Sequence, residues 1–156
     1  MFKKLSVLIP VYNEEKTIKT CIDRVLSANT LNMDLEVIVS DNNSTDNTKE
    51  ILKSIKDPRV KLLFKEKNEG KGSNIKNALK HAAGDIILFQ DADLEYSPEN
   101  FEDLLKPFFQ KNADVVYGTR LTKAKSTRII GFPNYIANIF LLVYGLLPLH
   151  RFRELI

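Results

Sequence analysis

The chain has 156 residues, of which 44% are hydrophobic and 28% are charged, and its formal net charge is +3. This length and composition predict one globular domain with a hydrophobic core and exclude a disordered or fibrous chain. The single cysteine, Cys21, excludes an internal disulfide, and the N-terminus resembles a first strand rather than a signal peptide, so we expect a cytoplasmic protein.

The positive charge lies near the C-terminus. Residues 1–114 carry 17 basic and 19 acidic side chains, whereas residues 115–156 carry six basic side chains and one acidic side chain. A basic tail suits phosphate groups on a substrate or on a lipid surface, although a solvated face that aids solubility gives the same pattern.

In the first half of the chain, apolar runs that predict strands alternate with apolar residues at helical spacing. The apolar run at residues 5–11 predicts a strand buried on both faces, and the apolar spacing over residues 14–28 predicts an amphipathic helix. The same patterns predict further strands at residues 35–39 and 60–64, and further helices at residues 47–56 and 72–83.

The second half continues the alternation, with a strand at residues 85–89, a helix at residues 98–110 and a strand at residues 113–118. Strands that alternate with helices predict an α/β domain with a mostly parallel sheet and helices on both faces. In such sheets ligands bind beyond the carboxyl ends of the strands, so we expect the functional residues there.

Three carboxylates follow the fourth predicted strand at alternate positions: Asp91, Asp93 and Glu95. Side chains two residues apart in an extended chain point the same way, so a loop that curls would bring these acids onto one divalent cation. Carboxylate oxygens prefer hard ions, and the expected cofactor is therefore Mg²⁺ or Mn²⁺. An ordinary solvated turn before a helix is the alternative interpretation.

Several familiar sites are missing from the sequence. The first strand is not followed by Gly-x-Gly-x-x-Gly, and there is no Walker A loop, zinc motif or Ser/His/Asp arrangement. What remains is the carboxylate cluster, Asp41 after the second strand, Lys71 between two glycines and Arg120 after the fifth strand. A metal ion with a lysine and an arginine can hold a diphosphate as a leaving group.

Four segments resemble family 2 glycosyltransferases, which have the GT-A fold: VLIPVYNE at residues 7–14, VSDNNSTDNT at 39–48, GD at 84–85 and DAD at 91–93. Three segments resemble the dolichol-phosphate mannosyltransferase group and its bacterial polyprenyl-phosphate relatives: NEGKG at residues 68–72, DADLE at 91–95 and VYGTR at 116–120. The implied fold is a Rossmann-like, mostly parallel sheet flanked by helices.

The resemblance implies a role for each matching residue. Asp91 and Asp93 would hold the metal ion on the donor diphosphate, with Glu95 as a further ligand. Lys71 and Arg120 would face phosphate oxygens, and Asp91, Asp93 and Arg120 form the implied catalytic set. The implied nucleotide-sugar site consists of Pro10, Tyr12, Asn13, Glu14, Asp41, Lys71, Asp91 and Ala92. Structural alternatives are a strand end at Pro10, a turn at Asp41, a solvated Lys71 and a surface ion pair at Arg120.

The implied reaction transfers a sugar from a UDP- or GDP-linked donor to a polyprenyl phosphate, whose oxygen is anionic near neutral pH and needs no general base. A sugar hydroxyl acceptor would need a carboxylate base, and no good candidate follows residue 118. That acceptor and a donor-binding remnant without turnover stay open as alternatives. A sugar-phosphate nucleotidyltransferase would be expected to have a Gly-rich basic loop after the first strand, which residues 10–14 do not provide.

Residues 1–120 are predicted to form the nucleotide-sugar-binding core, and residues 121–156 a basic linker and an acceptor-side apolar helix, in one domain overall. Residues 129–149 are uncharged, but Pro133 and Pro148 leave a helix of about 14 residues and about 21 Å, shorter than the hydrocarbon core of about 30 Å. We expect an interfacial or partner-facing helix, with a core helix as the alternative, and a C-terminus shorter than in relatives. Peripheral contact with the cytoplasmic face of a membrane and homo-oligomer formation stay open, and no nucleic-acid partner is expected.

Overall fold

Strands and helices alternate along residues 2–118, the part of the chain that the computed structural model describes. The elements in chain order are β1 (Lys4–Val11), α1 (Ile18–Leu26), β2 (Asp34–Asp41), α2 (Thr48–Ser54), β3 (Val60–Phe64), α3 (Gly70–Leu79), β4 (Ile86–Phe89) and α4 (Phe101–Lys111). A short 3₁₀ turn, Pro98–Asn100, precedes α4. The predicted alternation is confirmed for these elements.

The four strands form one parallel sheet in the order β3-β2-β1-β4. β1 lies between two neighbours, and its residue Leu8 is opposite Ile38 of β2 and Phe89 of β4. Parallel neighbours need crossover connections, and helices supply them here. The carboxyl ends of the strands therefore lie at one edge of the sheet, as the sequence predicts.

Helices cover both faces of the sheet. One face packs against α1, α2 and α4 through a buried cluster that includes Val7, Ile22, Leu52 and Phe101. The opposite face packs against α3 through Leu8, Ile38 and Ala78. Because residues 7 and 8 of β1 point to opposite faces and both are fully buried, the strand needs the continuous apolar run that its sequence shows.

Two helices begin later than the sequence predicts. Residues 14–17 form a turn instead of the first turn of α1, and the carbonyl oxygen of Glu14 accepts the backbone N–H groups of Thr17 and Ile18. The chain at Pro98–Asn100 forms a 3₁₀ turn, so α4 begins at Phe101. Short 3₁₀ turns are common at helix N-termini, where periodicity in the sequence cannot separate them from the helix.

The predicted fifth strand at residues 113–118 is wrong. Val115 is 64% exposed and Tyr117 is 89% exposed, and neither lies in a strand. A strand is stable only when its backbone groups pair with a neighbour, and within residues 2–118 no strand forms a ladder with this segment. Residues that favour a strand therefore do not form one in this part of the chain.

In the stretch from residue 2 to residue 118, no helix has both the length and the apolar character needed to cross a bilayer. Arg120, the predicted basic linker and the predicted apolar helix within residues 121–156 lie outside the described residues. The expectations for these parts stay predictions.

Candidate functional site

A cleft of about 310 Å³ opens beyond the carboxyl ends of β1 and β4, beside the first turns of α3. Its lining residues come from the end of β1, from the loops after β1, β2, β3 and β4, and from α3: Pro10, Val11, Tyr12, Glu14, Asn42, Asn68, Gly70, Lys71, Asn74, Asp91, Ala92 and Asp93. This is the edge at which ligands of parallel α/β sheets bind.

Seven residues predicted from the sequence line this cleft: Pro10, Tyr12, Glu14, Lys71, Asp91, Ala92 and Asp93. Asn13, Asp41 and Glu95 are not among the lining residues. Sequence reasoning missed three asparagines that do line it, Asn42, Asn68 and Asn74. Two features of the sequence could have indicated them. Asn42 directly follows Asp41 at a strand end, and Asn68 and Asn74 each lie three residues from Lys71.

Asn13 fastens the loop after β1 to the loop after β2. Its backbone N–H donates to Ser44 Oγ at 2.9 Å, and its Oδ1 accepts the backbone N–H of Thr45 at 2.8 Å. The next residue repeats the link, because the N–H of Glu14 donates to Thr48 Oγ1 at 2.9 Å. Asn13 has a φ of 55°, a conformation that asparagine adopts more readily than most residues. It therefore shapes the rim of the cleft.

Asp41 is fully buried, and its carboxylate organises the loop that follows β2. The carboxylate accepts the backbone N–H of Ser44 at 3.1 Å and the Ser44 hydroxyl at 2.5 Å. The structure thus places Asp41 beneath the loop, and its part in the nucleotide-sugar site stays a prediction. The adjacent residue, Asn42, lines the cleft.

Asn42 joins the loop after β2 to the start of α3. Its Nδ2 donates to Asn68 Oδ1 at 2.7 Å, and its Oδ1 accepts the backbone N–H of Glu69 at 3.2 Å. Asn68 Oδ1 also accepts the N–H of Gly70 at 3.0 Å. These bonds hold two walls of the cleft together while leaving one N–H and one lone pair of the Asn42 amide for a ligand.

The three acids after β4 do not form one cluster. Asp93 Oδ1 accepts the backbone N–H of Glu95 at 3.0 Å, and Leu94 between them has a φ of 62°. The predicted convergence of Asp91, Asp93 and Glu95 needed a loop that curls around one cation, and here the loop instead directs the Asp93 carboxylate to the backbone of Glu95. Among residues 2–118, no three His, Cys, Asp or Glu side chains lie together as a metal-binding group. Two of the predicted ligands, Asp91 and Asp93, share the cleft.

Lys71 pairs with Asp91 across the cleft. Its Nζ lies 2.6 Å from Asp91 Oδ1, and the two side chains are 62% and 30% exposed, respectively. Lys71 belongs to the first turn of α3, and Asp91 lies just beyond β4. The cleft thus holds this ion pair together with the carboxylates of Asp93 and Glu14. The pair lies at the N-terminal turn of α3, and the N-terminus of a helix favours anions.

Buried groups hold the backbone of the acid loop from below. The side-chain amide of Gln90, which is 2% exposed, donates to the carbonyl oxygens of Asp91 at 3.0 Å and Tyr96 at 3.2 Å. The thiol of Cys21 also donates to the Asp91 carbonyl, with a sulfur–oxygen distance of 3.6 Å. Burial raises the pKa of the Cys21 thiol to about 12, so this group stays a neutral donor.

Asn74 anchors the first turns of α3 to the sheet. It is 1% exposed, its Nδ2 donates to the Ser40 carbonyl oxygen at 2.6 Å, and its Oδ1 accepts the Ser40 hydroxyl at 2.6 Å. Because Lys71 lies one helical turn before Asn74, this buried pair sets the position of the Lys71 backbone at the cleft.

A sequence model described as Glycosyl transferase family 2 matches residues 6–146. The chain belongs to this family. The parallel sheet with helices on both faces, together with the solved structures below, shows the GT-A fold that the resemblance implied.

Curated relatives of this family 2 chain carry names of transferases that act on lipid phosphates. The dolichol-phosphate mannosyltransferase of Pyrococcus furiosus is 27% identical over 153 residues, which cover 97% of this chain and 43% of the relative. The undecaprenyl-phosphate 4-deoxy-4-formamido-L-arabinose transferase of Proteus mirabilis is 36% identical over 121 residues, which cover 75% of this chain and 36% of the relative. The chain thus spans less than half the length of either protein.

Solved structures of similar proteins contain nucleotides. S. aureus TarS in complex with UDP has a TM-score of 0.63 and 31% identity, and the match covers 71% of this chain and 33% of that chain. The mannosyltransferase PcManGT from Pyrobaculum calidifontis, in complex with GDP-Man and Mn²⁺, has a TM-score of 0.53 and 27% identity. This match covers 62% of this chain and 29% of that chain.

The residues in the cleft of this family 2 chain fit a divalent ion. Asp91 and Asp93 offer hard carboxylate oxygens at a site that is open to solvent. Mg²⁺ sites commonly use one or two protein carboxylates together with substrate phosphates and waters. Two carboxylates beside a lysine therefore match an ion that protein and diphosphate hold jointly, and a closed cage of three acids is not needed.

Proposed function

We propose that this chain binds a UDP- or GDP-linked sugar in the cleft and that the protein transfers the sugar to a polyprenyl phosphate. The observation that carries the proposal is the meeting of Asp91, Asp93 and Lys71 in one cleft. The names of the similar proteins support it, because they contain UDP, GDP-Man, dolichol phosphate and undecaprenyl phosphate.

Each wall of the cleft has a part in donor binding. Asp91 and Asp93 would hold Mg²⁺ or Mn²⁺, which when bound neutralises negative charge on the diphosphate. Lys71 contributes a positive charge for phosphate oxygens. The Tyr12 ring, which is 45% exposed, offers an apolar face to the nucleobase, and the amide of Asn42 offers a hydrogen bond to its edge.

The proposed reaction is a displacement at the anomeric carbon. An oxygen of the acceptor phosphate forms the new bond to that carbon, and the bond from the carbon to the donor diphosphate breaks with its electron pair going to the diphosphate. The acceptor oxygen is already anionic near neutral pH, so the chain needs no general base. Lys71, and Arg120 by prediction, stabilise the charge that grows on the leaving group.

The donor site is tested with a thermal-shift panel of UDP, GDP and their sugars, with and without Mn²⁺. The panel compares the unchanged chain with Asp93→Ala and with Asp103→Ala, a control whose carboxylate is 81% exposed on α4 outside the cleft. We expect at least one nucleotide to raise the Tm of the unchanged chain and of Asp103→Ala in a Mn²⁺-dependent way, with a smaller rise for Asp93→Ala. If no nucleotide raises the Tm with Mn²⁺, the donor-site proposal is refuted.

The acceptor is tested by transfer from the radiolabelled form of the nucleotide sugar that binds. Polyprenyl phosphate and a free sugar are offered in separate reactions. Label in the lipid fraction supports the proposal, whereas label on the free sugar indicates a hydroxyl acceptor. Donor binding without label in either fraction indicates a donor-binding protein without turnover.

A further inference from the structure

Lys71 pairs with one of the two carboxylates that would hold the proposed metal ion. Its ammonium nitrogen lies 2.6 Å from Asp91 Oδ1, which is the carboxylate oxygen that faces it across the cleft. A lysine and a divalent cation at the same carboxylate repel each other, because both carry positive charge. The ion pair and the metal ion therefore compete for Asp91.

The surroundings show which partner of this pair is able to move. The Asp91 backbone is held by the amide of Gln90 and the thiol of Cys21, both buried. The Lys71 side chain is 62% exposed, and a Cβ placed on either flanking glycine, Gly70 or Gly72, would meet nothing within 4 Å. The Lys71 side chain thus lies largely in solvent, while the helix that carries it stays fastened to the sheet.

Two lysines that precede α3, Lys65 and Lys67, are not equivalent to Lys71. Lys65 pairs with Glu69 and donates to Ser73 Oγ at 2.8 Å, and its side chain is only 13% exposed. Lys67 is exposed and does not line the cleft. Among the residues that the structure describes, Lys71 is the lysine that lines the cleft.

We propose that Lys71 is an exchangeable counter-ion: it neutralises Asp91 while the cleft is empty and yields this carboxylate to the metal ion that arrives with a nucleoside diphosphate. The ammonium group then moves to the phosphate oxygens, so its positive charge is compensated in both states. This inference rests on the proposed donor site and adds a mechanism that couples its two ligands.

The exchange has a thermodynamic consequence for both ligands. Metal ion alone must displace Lys71 into water, whereas metal ion with a diphosphate provides a new anionic partner for the lysine. Each ligand therefore strengthens the binding of the other, and the coupling is reciprocal. Because the Lys71 side chain is 62% exposed and the Asp91 side chain is 30% exposed, solvent weakens the ion pair and a ligand is able to break it.

The test is a Mn²⁺ titration followed by electron paramagnetic resonance, without nucleotide and with saturating UDP or GDP. The proteins are the unchanged chain, Lys71→Met, Lys71→Arg and the charge-matched control Lys67→Met, each checked for its fold by circular dichroism. Without nucleotide, we expect Lys71→Met to bind Mn²⁺ about two- to fivefold more tightly than the unchanged chain, since an exposed pair no longer competes. With nucleotide, the same variant binds Mn²⁺ more weakly, whereas Lys71→Arg and Lys67→Met follow the unchanged chain.

Each other outcome has a definite meaning. Equal Mn²⁺ affinity of Lys71→Met and the unchanged chain without nucleotide overturns the exchange while leaving the donor site intact, provided that Mn²⁺ binds with nucleotide. An equal gain in Lys67→Met shows a general charge effect and also overturns the exchange. If Mn²⁺ binds none of these proteins even with UDP or GDP, the metal site of the proposed function fails together with this inference.

Discussion

Substituting Asn74 by alanine tests how α3 is held at the cleft. The change removes two side-chain hydrogen bonds of 2.6 Å to Ser40 in a buried position. Each bond contributes about 1 kcal/mol, and the Ser40 carbonyl oxygen loses a donor at a further cost of about 1 kcal/mol or less. Alanine returns about 0.5 kcal/mol through its better helix propensity. We expect a net loss of about 2 kcal/mol, which is about 4–8 °C in Tm for a domain of this size.

Urea denaturation of Asn74→Ala, Ser40→Ala and the double variant measures this loss. The two residues share one hydrogen bond between their side chains, so the double variant should lose about 1 kcal/mol less than the sum of the single losses. Asn77→Ala is the control, because Asn77 makes one longer bond of 3.3 Å to the Ser40 hydroxyl. A loss for Asn74→Ala no greater than that for Asn77→Ala, or strictly additive losses, would refute the anchoring role.

Three further predictions follow from other parts of the domain. Burial raises the pKa of the Cys21 thiol to about 12, so a thiol reagent at about pH 8 should label the unfolded chain but not the native one, and rapid native labelling would contradict this. A hydrogen bond from Arg24 lowers the pKa of Glu99 to about 2. The pair therefore stabilises the native state above about pH 4.3, by less than about 1 kcal/mol because it is exposed, and the Tm difference from Glu99→Gln should disappear as the pH falls to about 2. A Cβ on Gly84 would lie 2.6 Å from a backbone nitrogen of β1, so Gly84→Ala should cost about 2 kcal/mol or more in urea denaturation, whereas Gly72→Ala, with nothing within 4 Å, should not destabilise.

The order of strands and helices was predictable because it depends on local periodicity. The continuous apolar run of β1 and the stripe of α1 are visible in the sequence, and both are buried as expected. The segment 113–118 shows the limit of this reasoning. Its valines and tyrosine favour a strand, but a strand also needs a paired neighbour, and none exists for it within residues 2–118.

The location of the site was predictable for a similar reason. Parallel strands end at the same edge, so residues at successive strand ends gather there whatever the details of the loops. The direction of each loop side chain was not predictable, because it depends on hydrogen bonds to other loops. The Asp41 carboxylate accepts the backbone N–H of Ser44 and is buried beneath the loop, whereas the neighbouring Asn42 lines the cleft.

The sequence by itself determined the α/β architecture, the family and the edge of the sheet that carries the acids, because these follow from periodicity and from motifs at strand ends. Only the tertiary structure showed that Asp93 turns back to the N–H of Glu95 and that Lys71 reaches Asp91. Lys71 and Asp91 lie on different elements, and their contact depends on where the buried pair of Asn74 and Ser40 holds α3 against the sheet. Contacts of this kind depend on packing between elements, which no local pattern in the sequence encodes.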